Sequence, residues 1–412
     1  MRLPSWARVG CALFAIGWGG NEFTPLLLMY RDLNGYSDAV VDILLGAYVL
    51  GIAPGLLVGG PLSDRFGRRP LLLPSPLLAA AGSAILALGA HSVALLFLGR
   101  VLSGVGLGIV MAVGTSWVKE LSSPPFAPAG DAGAGARRAS LFLTIGFGLG
   151  AAVAGFAAEW GPWPTVTPYL INIVLLLGSF VLVLPAEETR PSAQGQPGRY
   201  GVRDLVQDLR VPSALHRRFM YVVVPMAPWV FGTAASAYAI LPTLMAPAVG
   251  DLRLAYSAFM CLVALSCGVA IQPLAKLLDT PRNSMACAVS ITVTAVGMLA
   301  AALAAVLLNP WFAALAAAIL GTAYGLLLVS GLQEVQRIAG PSDLAGLTAV
   351  YYSLSYLGFF IPAVLAVAAS WFTYPVMFLA GAVIASACLA VIVWAWARHL
   401  PEPPGPEVAA GR

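Results

Sequence analysis

Charge is what this chain has least of. Of its 412 residues only 10% are Asp, Glu, Lys or Arg, while 59% are hydrophobic. A soluble domain is about a quarter charged, so an ordinary water-soluble enzyme or binding module is excluded. Lysine is nearly missing: Lys119 and Lys276 are the two lysines among 22 basic residues. With abundant Ala and Gly, that bias points to a GC-rich bacterial genome. The five cysteines (Cys11, Cys261, Cys267, Cys287, Cys388) lie in apolar stretches without metal-ligand spacing. They read as small buried apolar residues, and no metal site is expected. His91, His216 and His399 fall at loops or helix ends with no nucleophile–base constellation, so no enzymatic role is expected.

What the chain has instead is apolar length. The mean hydropathy is +0.87. Twelve apolar runs cover residues 7–29, 40–60, 71–90, 93–118, 139–158, 169–184, 219–241, 254–274, 285–308, 311–332, 344–369 and 374–397. About 20 apolar residues span a bilayer as a helix, the form that satisfies every backbone hydrogen bond internally. The sixth run is short and borrows residues 165–168. The first run is long, carries Glu22 and is followed by no small-residue cleavage site, so it reads as a retained helix rather than a secretory signal.

The net charge is +4, and its placement says more than its size. With both termini in the cytoplasm, 19 of the 22 basic residues fall at or near the cytoplasmic face. Arg31 and Arg253 fall outside, and Arg100 lies within the membrane. The positive-inside rule therefore sets the orientation, and the basic residues need no nucleic-acid partner. The expected location is a bacterial plasma (inner) membrane.

One long polar segment, 185–218, separates six runs from six. Within it, 202–209 reads equally as a short surface helix or as a solvated linker. PLSD at 61–64 and PLAK at 273–276 follow the second and eighth runs at an offset of 212 residues. The expected organisation is an N-terminal six-helix bundle (1–184), a cytoplasmic linker (185–218), a C-terminal six-helix bundle (219–400) and a cytoplasmic tail (401–412). The loop 121–136, rich in Pro, Gly and Ala, is longer than a tight connection needs and has no assigned role.

Two charges lie deep in this uncharged setting. Glu22 is seven residues before the outer end of the first run, and Arg100 seven residues after the outer start of the fourth. At 1.5 Å per residue both sit about 10 Å below the outer boundary. Each alone costs roughly 2.5–3.5 kcal/mol at the centre of a membrane helix. Facing each other or a shared aqueous cavity reduces that cost. Desolvation favours a neutral carboxyl and a nearby guanidinium favours a charged one, an opposition suited to proton uptake and release. The alternative is a fixed ion pair joining the first and fourth helices. Asp42 reads as a helix cap. Glu120, and Glu334 with Arg337, read either as gate partners or as solvated helix ends.

The most specific stretch is the charged loop 60–69, GPLSDRFGRR. It closely resembles the G-x-L-x-D-R-x-G-R-R loop of the major facilitator superfamily of secondary transporters, with Pro61 in a variable slot. LGRVLSGVG at 98–106 is similar to the family's R-x-x-x-G-x-G motif, whose Arg serves proton transfer in proton-coupled members. GFGLGAAVAG at 146–155 follows the antiporter spacing G-x-x-x-G-P-x-x-G-G, with Ala151 in place of Pro and Ala154 in place of one Gly. Small-residue helix packing accounts equally well for Gly146, Gly150 and Gly155.

The resemblance implies an all-α membrane fold of twelve helices in two pseudo-symmetric bundles. It implies a cytoplasmic gate built from Gly60, Asp64, Arg65, Gly67, Arg68 and Arg69, and proton coupling at Glu22 and Arg100. No cofactor is expected, the proton gradient being the energy source. A substrate cavity is expected to be lined by Trp18, Asn21, Trp229, Tyr238, Tyr256, Tyr324, Tyr352, Tyr356 and Phe359. Embedded amides are few (Asn21, Asn172, Gln272), too few for a sugar site, because buried polar groups need partners. The expected function is export of largely apolar, neutral or cationic small molecules by proton antiport, in a monomer surrounded by lipid. The alternatives are proton-coupled uptake or facilitated passage of a nutrient, and a non-transporting receptor or scaffold.

Overall fold

An apolar chain in a bilayer has few ways to satisfy its backbone, and the computed structural model takes the expected one. It describes residues 3–128, 134–190, 209–278, 280, 283–340, 344–396 and 398. Twelve membrane helices are present among the described residues: α1 Ser5–Asn34, α2 Asp38–Phe66, α3 Arg68–Leu88, α4 Val93–Leu121, α5 Ala134–Trp160, α6 Thr167–Val183, α7 219–249, α8 Arg253–Leu278, α9 Met285–Leu307, α10 Pro310–Ile338, α11 Leu344–Ala368 and α12 Tyr374–Ala395. They form two six-helix bundles, α1–α6 and α7–α12. Helix α6 begins within the residues that the short sixth run borrows. Residues 202–208 of the candidate surface helix, 129–133 of the loop 121–136, and the tail 401–412 lie outside the described residues.

Local chemistry sets the ends and irregularities. Ser37 caps α2 by accepting from the Val40 N–H. Asp42 therefore lies a turn inside the helix rather than at its cap. There it borders a cleft between the halves with Arg31, Asp38, Thr243 and Tyr374. A proline inside a helix clashes with the carbonyl four residues earlier. The π turns Phe219–Val223 and Ser236–Ile240 of α7 contain those positions for Pro225 and Pro242, and the 3-10 turn Leu357–Phe360 of α11 contains the one for Pro362. In α4 the π turn Val110–Gly114 has no proline. There the Thr115 and Ser116 hydroxyls donate to the Met111 and Ala112 carbonyls at 2.6 and 3.0 Å.

The halves share a contact that repeats at the sequence offset. Helices α2 and α4 touch backbone to backbone: a Cβ at Gly108 would meet the Ile52 carbonyl. Helices α8 and α10 do the same, with Gly321 against the Ala264 carbonyl and Gly325 against that of Gly268. Gly108 and Gly321 are 213 residues apart, and Ile52 and Ala264 are 212 apart. Small residues allow such close approach where lipid leaves no other strong drive to associate.

Candidate functional site

Consecutive residues on α1 point about 100° apart, and this divides the site in two. Asn21 faces the other half, donating to the Cys261 sulfur on α8 at 3.4 Å and to the Phe147 carbonyl on α5 at 3.5 Å. Glu22 turns instead into the first bundle, toward α3 and α6. Its Oε1 accepts from Asn172 Nδ2 at 3.1 Å and from the Ser83 hydroxyl at 3.5 Å. Asn172 Nδ2 also donates to Ser83 at 3.1 Å. Glu22 Oε2 and Asn172 Oδ1 have no hydrogen-bond partner. The Trp18 indole, one turn earlier, faces the same carboxylate without reaching bonding geometry.

Arg100 lies nearby but does not pair with Glu22, since no nitrogen–oxygen distance between them falls within 4 Å. Its guanidinium carbon sits 4.6 Å from the Phe23 ring centroid and 4.1 Å from that of Tyr48. Its Nε donates to the Leu44 carbonyl at 3.4 Å. Ring faces attract a desolvated cation by about 2 kcal/mol each, and here they take the place of a counter-ion. Both charges are sealed from solvent, Glu22 at 0% and Arg100 at 1% exposure. The direct ion pair and the shared aqueous cavity anticipated from depth are both absent in this conformation.

The seam between the halves is aromatic. Phe231 on α7 is the hub of a ring cluster within the second half, with ring centroids 4.1 Å from Tyr356, 5.0 Å from Phe359 and 5.7 Å from Tyr324. The Tyr356 hydroxyl reaches across to the Met111 sulfur on α4 at 3.2 Å. Tyr238 is buried close to Tyr48, Cys261 and Arg100. Tyr352 is half-buried beside Tyr351 at 5.8 Å. Two of the anticipated cavity residues stand apart from this group. Trp229 packs toward Gly381 of α12, inside the second bundle. Tyr256 donates to the Pro310 carbonyl at 2.7 Å, between α8 and α10.

The α5 glycines divide between two contacts. A side chain at Gly146 or Gly150 would meet the α1 backbone at Phe14 or Trp18, whereas one at Gly155 would meet Ala258 of α8. Near Gly155, Glu159 Oε2 accepts from the first N–H groups of α8, Leu254 at 2.9 Å and Ala255 at 3.0 Å. Arg253 pairs with Asp32 of α1 at 3.0 Å. These contacts close the end of the seam opposite the 60–69 loop.

At the loop end, Arg68 is nearly buried and pairs with Asp64 at 2.8 Å. It also grips Glu120 with two N–H groups at 2.8 and 3.2 Å. Gly67 adopts φ +99°, a left-handed conformation suited to glycine. Beyond it, Glu188 accepts from the Arg68 and Arg69 N–H groups at 3.0 and 2.8 Å. Thr189 and Arg190 complete the network on Glu120. These partners of Asp64, Arg68 and Arg69 all belong to the first half or to the segment directly after α6. Gly60 leaves open space around it, and Arg65 is engaged.

Neither acidic helix end is simply solvated. Glu334 is 2% exposed and accepts from Arg218 Nε and Nη2 at 2.7 and 2.9 Å and from Arg337 Nη1 at 2.7 Å. Arg218 also donates to the Ser284 hydroxyl at 2.8 Å.

Sequence reasoning left out Phe231 and Ser83, gave Glu188 and Arg218 no role beyond the charges of the polar segment 185–218, and counted Asn172 only as one embedded amide. Asn172 had a usable signal, because a lone amide deep in an apolar run needs a polar partner. Phe231 had none, since phenylalanine is at home anywhere in an apolar helix.

Two related bundles of membrane helices are a plan that recurs among secondary transporters. The Major Facilitator Superfamily profile matches residues 9–363, and the chain belongs to that family. It is similar to multidrug resistance protein MdtL of Klebsiella pneumoniae, 26% identical over 62% of either chain. It is also similar to the arabinose-proton symporter of Bacillus subtilis, 30% identical over 23% of this chain and 20% of that one. The matches span between about one fifth and three fifths of these relatives' lengths. Among solved structures, a nucleoside transporter superposes with a TM-score of 0.74 at 11% identity, over 95% of this chain and 99% of the other. A peptide transporter in complex with sulfate gives 0.74 at 15% identity, over 97% and 98%.

Proposed function

We propose that this transporter exports largely apolar, neutral or cationic small molecules in exchange for protons, with Glu22 as the proton carrier. The observation that carries the reading is a wholly buried carboxylate with one orphan oxygen and no salt-bridge partner within 4 Å, one residue away from the seam between the halves. Intramembrane carboxylates are typical of proton relays in transporters. The seam supports the substrate class, since Phe231, Tyr356, Phe359 and Tyr324 offer ring faces and few polar atoms. Lipophilic cations gain from such faces, and sugars gain little. Similarity to a multidrug resistance protein over 62% of the chain agrees with this.

In this reading the protein works as a monomer in a bacterial inner membrane with both termini in the cytoplasm. The proton gradient supplies the energy. Asp64, Arg68 and Glu120 order the cytoplasmic end of the first half, and the contacts of Glu159 and Arg253 part when the outer face opens.

Proton-coupled uptake is the second reading, favoured by the match to an arabinose-proton symporter. Inside-out vesicles separate the two. Antiport predicts that acidifying the lumen drives accumulation of ethidium or tetraphenylphosphonium, and that Glu22→Gln abolishes it. If no lipophilic cation or neutral aromatic compound accumulates under that gradient, export by proton antiport is wrong.

A further inference from the structure

The proton chemistry of Glu22 has a partner on α6 that neither the charge pattern nor the family profile assigns. Asn172 Nδ2 is shared between Glu22 Oε1 and Ser83. Glu22 Oε2 and Asn172 Oδ1 are both buried with no partner. One donor and one acceptor site on the same two side chains are thus used, and two acceptor oxygens are left over, which become complementary only when a proton sits on the carboxyl. An amide is the neutral side chain that presents a donor at one face and an acceptor at the other. A carboxylate only accepts, whereas a carboxylic acid also donates. The arrangement seen is the one that fits the carboxylate. After a proton arrives on Glu22, a half-turn of the Asn172 amide offers Oδ1 to the new O–H and still leaves a donor free for neighbouring oxygens.

We propose that Asn172 is a positioning residue that reverses its amide as Glu22 gains and loses its proton, so that the proton site is shared by α1, α3 and α6. This rests on the reading of Glu22 as the carrier. The local backbone accommodates such an amide: a Cβ at Gly19 would collide with Asn172 Nδ2. The other groups around Glu22 do not substitute for it. Arg100 from α4 is held by ring faces. The Tyr169 hydroxyl from α6 and the Tyr30 hydroxyl from α1 bond each other at 2.7 Å. The Tyr48 hydroxyl from α2 has no partner, and α3 contributes Ser83. The site also faces away from the aromatic seam. Substrate and proton therefore do not compete for one atom, and α1, which carries Asn21 on the other face, links them.

The test uses the full-length protein in liposomes and the proton itself as probe. In an infrared pH titration, the carbonyl stretch of a protonated carboxyl that disappears in Glu22→Gln reports this group. In Asn172→Leu, which has similar volume and no polar atom, the midpoint of that band moves to higher pH by about one unit, the loss of one charge-assisted hydrogen bond. Its frequency changes as well, because the acid has lost its acceptor. Gly19→Ala, which pushes the amide away without removing it, gives the same sense of change. Asn172→Ser, with a hydroxyl that donates and accepts, returns most of the way to wild type. A midpoint and frequency unaltered in both Asn172→Leu and Gly19→Ala overturn the role of Asn172 and leave Glu22 as carrier. A wild-type titration with no band that depends on Glu22 overturns the carrier reading, and this inference with it.

Discussion

Replacing Arg218 with methionine removes the main counter-ion of a carboxylate that has almost no access to water. Glu334 is 2% exposed and takes two N–H donors from Arg218 and one from Arg337. Deleting one member of a buried pair costs about 3–5 kcal/mol, because the other charge is stranded. Arg337 stays in place, so the lower figure of about 3 kcal/mol applies. At roughly 2–4 °C per kcal/mol for a body of about 200 residues, the melting temperature of the detergent-solubilised protein falls by roughly 6–12 °C. The double variant Arg218→Met/Glu334→Met behaves differently. Replacing a whole buried pair by apolar residues is often neutral or stabilising. Arg337 also keeps the Thr280 and Asn283 carbonyls at 3.0 and 3.3 Å. Thermal unfolding followed by tryptophan fluorescence should show most of the loss restored. A single variant that melts like wild type, or a double variant no better than the single, refutes the view that Glu334 is a desolvated charge.

Three other outcomes are expected. Phe231→Ala raises the apparent KM for a lipophilic cation several-fold by removing the hub of the ring cluster, whereas Trp229→Ala lowers the melting temperature by several degrees and leaves KM near wild type; equal effects on KM would remove the distinction. Glu159→Ala frees the first N–H groups of α8, and alkylation of a cysteine placed at Ala258 by an impermeant maleimide should rise several-fold over the same cysteine in the parent. Arg68→Lys loses the two-pronged grip on Glu120, costs about 1–2 kcal/mol and lowers the melting temperature less than Arg68→Ala does.

Much of the architecture could be read without coordinates, because a bilayer allows an apolar chain so few solutions. Twelve runs became twelve helices, but the stretch 60–69 is not a free loop: it spans the junction of α2 and α3, with Gly67 alone outside a helix. The direction of side chains was much less legible. Every residue of α1 from 15 to 28 is buried, so no polar face shows which way the helix is turned. The placement of Glu22 toward α3 and α6, with Asn21 at the seam, is set by packing against the other five helices of the first bundle and against α7 and α8 of the second. Trp229 and Phe231 are two positions apart and so lie on nearly opposite faces, yet both are apolar aromatics and nothing in their types assigns the seam to one of them. Glu334, near a helix end, read either as a gate partner or as a solvated end. Its partner Arg218 lies 116 residues earlier in the chain, a separation that local reasoning does not cover.

The glycine contacts between α2 and α4, and between α8 and α10, have a mechanical consequence. Where main chain rests on main chain there are no rotamers to exchange, so each pair has a single way to fit and travels as one stiff slat. Sliding within a slat would drive a carbonyl into a neighbouring turn. In the transport cycle proposed above, flexure would fall instead to α7 and α11, whose turns are already overwound or underwound beside proline, and to the ring-lined surfaces where side chains can re-seat.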